Sequence, residues 1–103
     1  MSLTAEQIQT NWQTFLGYIN HYILDPRRTK LLDFYKKHED ELVMMPASHK
    51  KAYHNAFQGG YIDHVNRVVE GALHINEVWA KFGADQNYTA EELVFAAINH
   101  DLG

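Results

Sequence analysis

YIDHVNRVVEGALHINEVWAKF, residues 61 to 82, places apolar side chains at 61, 65, 68, 72, 75, 79 and 82, an unbroken alternation of fours and threes. That spacing lines one face of an α-helix and fits no strand, whose side chains alternate every two residues. Gly83 follows where helices commonly close on a left-handed residue. The segment therefore predicts the clearest helix of the chain, with its stripe turned to a core.

Downstream, Thr89-Ala90-Glu91-Glu92 has the form of a capping box and opens a further helix through Leu93-Val94-Phe95-Ala96-Ala97-Ile98. Six apolar residues in succession leave this helix without a polar face, which predicts neighbours on every side. Upstream, Thr4-Ala5-Glu6-Gln7 is a second capping box, followed by Ile8, Trp12, Phe15, Ile19, Tyr22 and Ile23 at helical spacing. Asp25-Pro26 predicts a new start, with Asp as N-cap and Pro at the first helical position, for a helix running to about Asp40. Arg27, Arg28, Lys30, Lys36 and Lys37 give that helix a basic character, read as solvated surface with a phosphate grip as the alternative. Between Pro46 and Gly60 the periodicity fails and turn residues take over, with Tyr53, His54 and Phe57 interleaved.

These elements make one all-α domain, a bundle of about four main helices spanning 1–103. Residues 1–45 supply the N-terminal helices, 46–60 a loop, and 61–103 the last two helices. A chain of 103 residues, 46% apolar and 13% aromatic, is too apolar for a disordered tail and supports one core. No apolar run approaches the roughly 20 residues of a membrane span, and the start Met1-Ser2-Leu3 lacks the form of a secretory signal, so a cytoplasmic protein is expected. A net charge of −4 argues against an extended nucleic-acid face. With no cysteine and seven histidines, any metal site must use imidazole and carboxylate.

Helical phase sets His64 at the border of the stripe that holds Tyr61 and Val68, and sets His100 on the face of Leu93, Ala96 and Ala97. Asp101 adds a carboxylate beside it. Two imidazoles and a carboxylate suit a divalent ion such as Mn, Fe, Zn, Mg, Co or Ni. Taken by spacing alone, the same residues also fit a core histidine with a helix-end aspartate.

The wider pattern is more specific. His54-Asn55-Ala56-Phe57-Gln58-Gly59-Gly60-Tyr61-Ile62-Asp63-His64, followed 36 positions later by His100-Asp101-Leu102-Gly103, resembles the HD-domain metal-dependent phosphohydrolase superfamily. Its closest look is to the branch with a His-containing Gly-Gly loop, and the resemblance covers about Pro46 to Gly103. It implies an HD-like helical bundle in which His64, His100 and Asp101 ligate the metal. His54 would contact substrate or assist catalysis together with Asp101, and His49 is a further candidate for substrate contact. His21, His38 and His74 match nothing in the pattern. Family members usually continue with a Lys and a later helical Asp that completes the shell. Neither follows Gly103, so the expectation is the front part of such a domain.

The resemblance implies hydrolysis of a phosphomonoester or phosphodiester, nucleotide-related, with a small phosphorylated substrate as partner. A catalytically inactive module for interaction or nucleotide sensing is the alternative. Non-haem iron oxygenase chemistry is a lesser one, since two His and one carboxylate also form a facial triad. Val69, Leu73, Val78, Val94, Phe95 and Ile98 read as more apolar surface than four helices cover, which predicts a homo-oligomer.

Overall fold

Both capping boxes close as the sequence predicts. Thr4 Oγ1 accepts from the Gln7 amide at 3.1 Å while Gln7 Oε1 accepts from the Thr4 amide at 2.9 Å. Thr89 and Glu92 repeat the arrangement at 3.1 and 2.9 Å. Each box satisfies two amides that the helix itself leaves unpaired. The computed structural model describes residues 2–46, 57–83 and 89–100, and every regular element among them is an α-helix. In chain order these are α1 (Ala5–Tyr22), α2 (Arg27–Lys37), α3 (Glu39–Met44), α4 (Gly60–Lys81) and α5 (Ala90–Asn99).

The single helix expected from Pro26 to Asp40 is two. It breaks at His38, whose φ of −104° and ψ of 17° leave the helical region. Glu39, Asp40 and Glu41 then form the first turn of α3, where negative side chains suit the positive end of a helix. The Trp12 indole N–H, inside the core, donates to Glu39 Oε1 at 2.9 Å and fixes where that turn begins. The start of α2 also differs in detail. Pro26 takes the cap position, and the Asp25 carboxylate caps from one residue further out, accepting from the Thr29 amide at 3.1 Å and its hydroxyl at 2.6 Å.

Trp12, Phe15, Ile19 and Ile23 of α1 and its C-terminal flank meet Tyr35, Leu42, Tyr61, Ile62, Val65, Val69, Val94, Ala97 and Ile98 in one core. The buried side of α4 is thus Tyr61, Ile62, Val65, Asn66 and Val69, rotated away from the four-three stripe. The reason is geometric: a seven-residue repeat lags a straight 3.6-residue helix by about 20° per heptad. Three heptads from Tyr61 to Phe82 therefore carry the stripe roughly 60° off the core. Its far end emerges, with Ile75 58%, Trp79 60% and Phe82 85% exposed.

Exposed apolar surface lies there, and of the six residues read as surplus only Val78 belongs to that stretch and stays outside the core. Val69, Val94 and Ile98 are fully buried, and Leu73 and Phe95 pack against the core. Helix α5 finds enough cover because it is only ten residues long and lies against α4 and α1. The Arg27 guanidinium stands 4.5 Å from the centroid of the Phe95 ring, shielding much of what remains. No helix among the described residues is long and apolar enough to cross a membrane.

Candidate metal centre

Helix α4 can carry a histidine into the site only if its first turn is anchored, and the anchor is Gly59. Its φ of +79° lies in the left-handed region that side-chain-bearing residues avoid. A Cβ at this position would also stand 2.8 Å from Ile8 Cγ1 of α1. In this tight corner the Gly59 amide donates to Met44 O at 3.1 Å and the Tyr61 amide to Met45 O at 2.9 Å. The end of α3 is thereby tied to the start of α4.

His64 sits one turn further on, half-buried, beside the core stripe of Tyr61, Ile62 and Val65. Across from it, α5 ends at Asn99 and is capped by His100, which holds helical angles (φ −62°, ψ −30°). The two imidazole centroids are 5.8 Å apart with the rings inclined at 51°. By helical phase His64 borders the apolar stripe of α4 and His100 shares the face of Leu93, Ala96 and Ala97. His100 is instead exposed, because it occupies the helix end and not its packed face.

His100 Nδ1 lies 2.7 Å from Ala97 O. A carbonyl only accepts, so this contact requires the proton on Nδ1, an arrangement that in a neutral imidazole leaves the lone pair on Nε2. This is the outer support expected of a ligand histidine, whose second nitrogen is oriented by a backbone carbonyl or carboxylate. Two imidazoles on one ion, each nitrogen about 2.0–2.1 Å from it, put their ring centroids roughly 5 Å apart. The observed centroid spacing of 5.8 Å is somewhat wider than this. The pair could supply two imidazole ligands to a borderline divalent ion.

The third expected ligand, Asp101, lies outside the described residues, as do the candidate substrate residues His54 and His49. Among the described residues there is no group of three His, Cys, Asp or Glu side chains able to hold a metal. The histidines outside the motif serve packing and surface. His21 is exposed with its ring edge-on to Tyr22, His38 lies against Phe34 and 3.6 Å from Glu41, and His74 is exposed.

Two residues near the site carry a polar role that spacing did not reveal. Tyr35 is fully buried and its hydroxyl donates to Asn99 Oδ1 at 2.7 Å, next in sequence to His100. Burial, reinforced by the nearby Tyr61, raises the Tyr35 hydroxyl well above the ordinary tyrosine range, so it stays a donor at any working pH. Tyr35 reads from sequence as one of several apolar positions of its helix; its partner is 64 residues away and left no local signal.

Compared with family models, curated proteins and solved structures, the chain shows no significant match.

Proposed function

We propose that this chain forms the metal-binding part of a phosphohydrolase of the HD type, acting on a phosphomonoester or phosphodiester of a nucleotide-related substrate. The observation that carries the reading is the approach of His64 and His100. Two histidines 36 positions apart, on different helices, stand with ring centroids 5.8 Å apart, and one has its Nδ1–H directed to a backbone carbonyl. His64 and His100 would hold a divalent ion, with Asp101 as the third ligand. Such an ion lowers the pKa of its water and polarises a phosphoryl oxygen. The exposure of His100 leaves room for a substrate phosphate to arrive from solvent. His54 and His49 are the residues proposed to contact it.

The test is calorimetric titration with Mn²⁺ and Zn²⁺, paired with assays on nucleotides and on generic phosphomonoesters and phosphodiesters. Stoichiometric binding, abolished by His64→Ala and by His100→Ala, together with turnover that disappears in the same variants, is expected. Metal-independent turnover, or turnover indifferent to His100→Ala, would end the hydrolase reading. Tight metal binding without turnover on any substrate would favour the second reading, an inactive module for interaction. The exposed Ile75 and Trp79 on α4 and Phe82 at its C-cap are the observation behind that alternative.

A further inference from the structure

The last turn of α5 is held at a point where helices ordinarily fray. Asn99 is its final residue, and both ends of the Asn99 carboxamide are engaged. Nδ2 donates to Phe95 O at 2.8 Å and Oδ1 accepts from the Tyr35 hydroxyl at 2.7 Å. Turning the amide over would set Oδ1 against a carbonyl oxygen, so the network admits one orientation. The hydroxyl is equally constrained. Tyr35 has no exposed surface, and its ring is held edge-on by Phe15 at 4.8 Å and by Phe34 at 5.2 Å. Both aromatic neighbours belong to the N-terminal helices, so the fixed point comes from outside the α4–α5 pair.

We infer that Tyr35 and Asn99 form a positioning clamp that holds the end of α5 so that His100 faces His64 with its lone pair on Nε2. The inference rests on the metal-site reading above and extends it to residues outside the His-Asp motif. The physical argument is one of registration. His100 continues the helix, and its Nδ1–H reaches Ala97 O only while the turn from Ala97 to His100 keeps helical geometry. The carbonyls of a last turn have no partner within their own helix, so that geometry needs support from elsewhere. Asn99, rooted through Tyr35 in the core, supplies it. Outer groups that orient ligands are commonly worth 10–100-fold in metal affinity.

The experiment measures Zn²⁺ affinity and the tautomer of His100 by ¹⁵N NMR in the metal-free protein, for wild type and three variants. Tyr35→Phe keeps the ring and removes the donor; it is expected to weaken Zn²⁺ binding on the order of 10-fold and to shift His100 toward the Nε2–H form. Asn99→Ala should do the same, and Tyr35→Phe in that background should add nothing further. Glu39→Ala is the control for a merely structural role. It removes the 2.9 Å bond from the Trp12 indole, far from α5 in sequence, and is expected to lower stability while leaving affinity and tautomer unchanged. Unchanged affinity and tautomer in Tyr35→Phe would overturn the clamp, as would an equal loss in Glu39→Ala. If wild type binds no Zn²⁺, the metal reading falls; a tautomer shift in Tyr35→Phe then sustains the clamp, and its absence overturns it.

Discussion

Gly59→Ala should be among the most damaging single-methyl additions in this protein, and its cost can be worked from two separate terms. The residue holds φ +79°, and an L-residue in the left-handed region loses roughly 1–2 kcal/mol. The new Cβ would also meet Ile8 Cγ1 at 2.8 Å, which requires the Ile8 side chain, α1 or the corner itself to shift. Forcing a methyl into packed surroundings typically costs about 1–3 kcal/mol. Together the penalty is about 2–5 kcal/mol, against a total stability of about 5–15 kcal/mol for a domain of this size. Gly83→Ala separates the terms, because Gly83 has φ +75° but nothing within 4 Å of its Cβ position. It should lose only the backbone share, about 1–2 kcal/mol. Urea denaturation of both variants, and of Gly59→Ala combined with Ile8→Ala, is the assay. The double variant should be less destabilised than the sum of its parts by about 1–3 kcal/mol, since truncating Ile8 opens the space. Equal losses for the two glycine variants, with no coupling between Gly59 and Ile8, would refute the close approach of α1 to the start of α4.

The pH dependence of stability should carry two signatures. Tyr35 has its hydroxyl pKa raised on folding, so its contribution is fully present below the unfolded value near 10 and is lost as pH climbs above it; Tyr35→Phe should flatten this alkaline decline in thermal melts. Asp25 has its carboxyl pKa lowered, by hydrogen bonds from Thr29 and Arg28, so its contribution is present above the unfolded value near 4 and fades as pH falls below it; Asp25→Asn should reduce the slope there. The two tryptophans give a third check. Trp12 is 1% exposed and Trp79 60%, so acrylamide should quench one fluorescence population and spare the other, and Trp79→Phe should remove the quenchable one.

Local signals carried well from sequence to structure, and long-range ones did not. Thr4 and Thr89 were legible as helix starts because a capping box is complete within four residues. The break at His38 was not, because its cause is a bond from Trp12, 27 positions away, to Glu39. The stripe on α4 identified the helix, and its buried side through Tyr61, Val65 and Val68, but not beyond, where Ile75, Trp79 and Phe82 emerge. Spacing fixes the period of a pattern, but the packed face is settled by the helices that lie against it, here α1, α3 and α5, and the buried residues of α4 all fall in its first half. The same reasoning explains the misplaced apolar surplus. Val94 and Ile98 look superfluous in a list of residues, yet the groove between α1 and α4 accommodates them entirely.

The candidate site shows the same division, and the helix ends sharpen its chemistry. Sequence gave the identity of His64 and His100, but only the antiparallel run of α4 and α5 brings the end of one near the beginning of the other. That arrangement has an electrostatic consequence. His100 is the C-cap of α5, so the histidine pair lies where the carbonyl end of a helix presents partial negative charge, which favours a cation by about 0.3–1 kcal/mol. Helix α4 begins only a turn before His64, and its amide end has the opposite preference, for an anion. The start of α4 is nonetheless closed to a phosphate, because its Gly59, Gly60 and Tyr61 amides already donate to Met44 O, Phe57 O and Met45 O. Those increments are small beside the bonds from ligands to a metal, so they do not create the site. At the histidines the end of α5 adds a weak preference for positive charge, and the bonded start of α4 adds nothing for an anion.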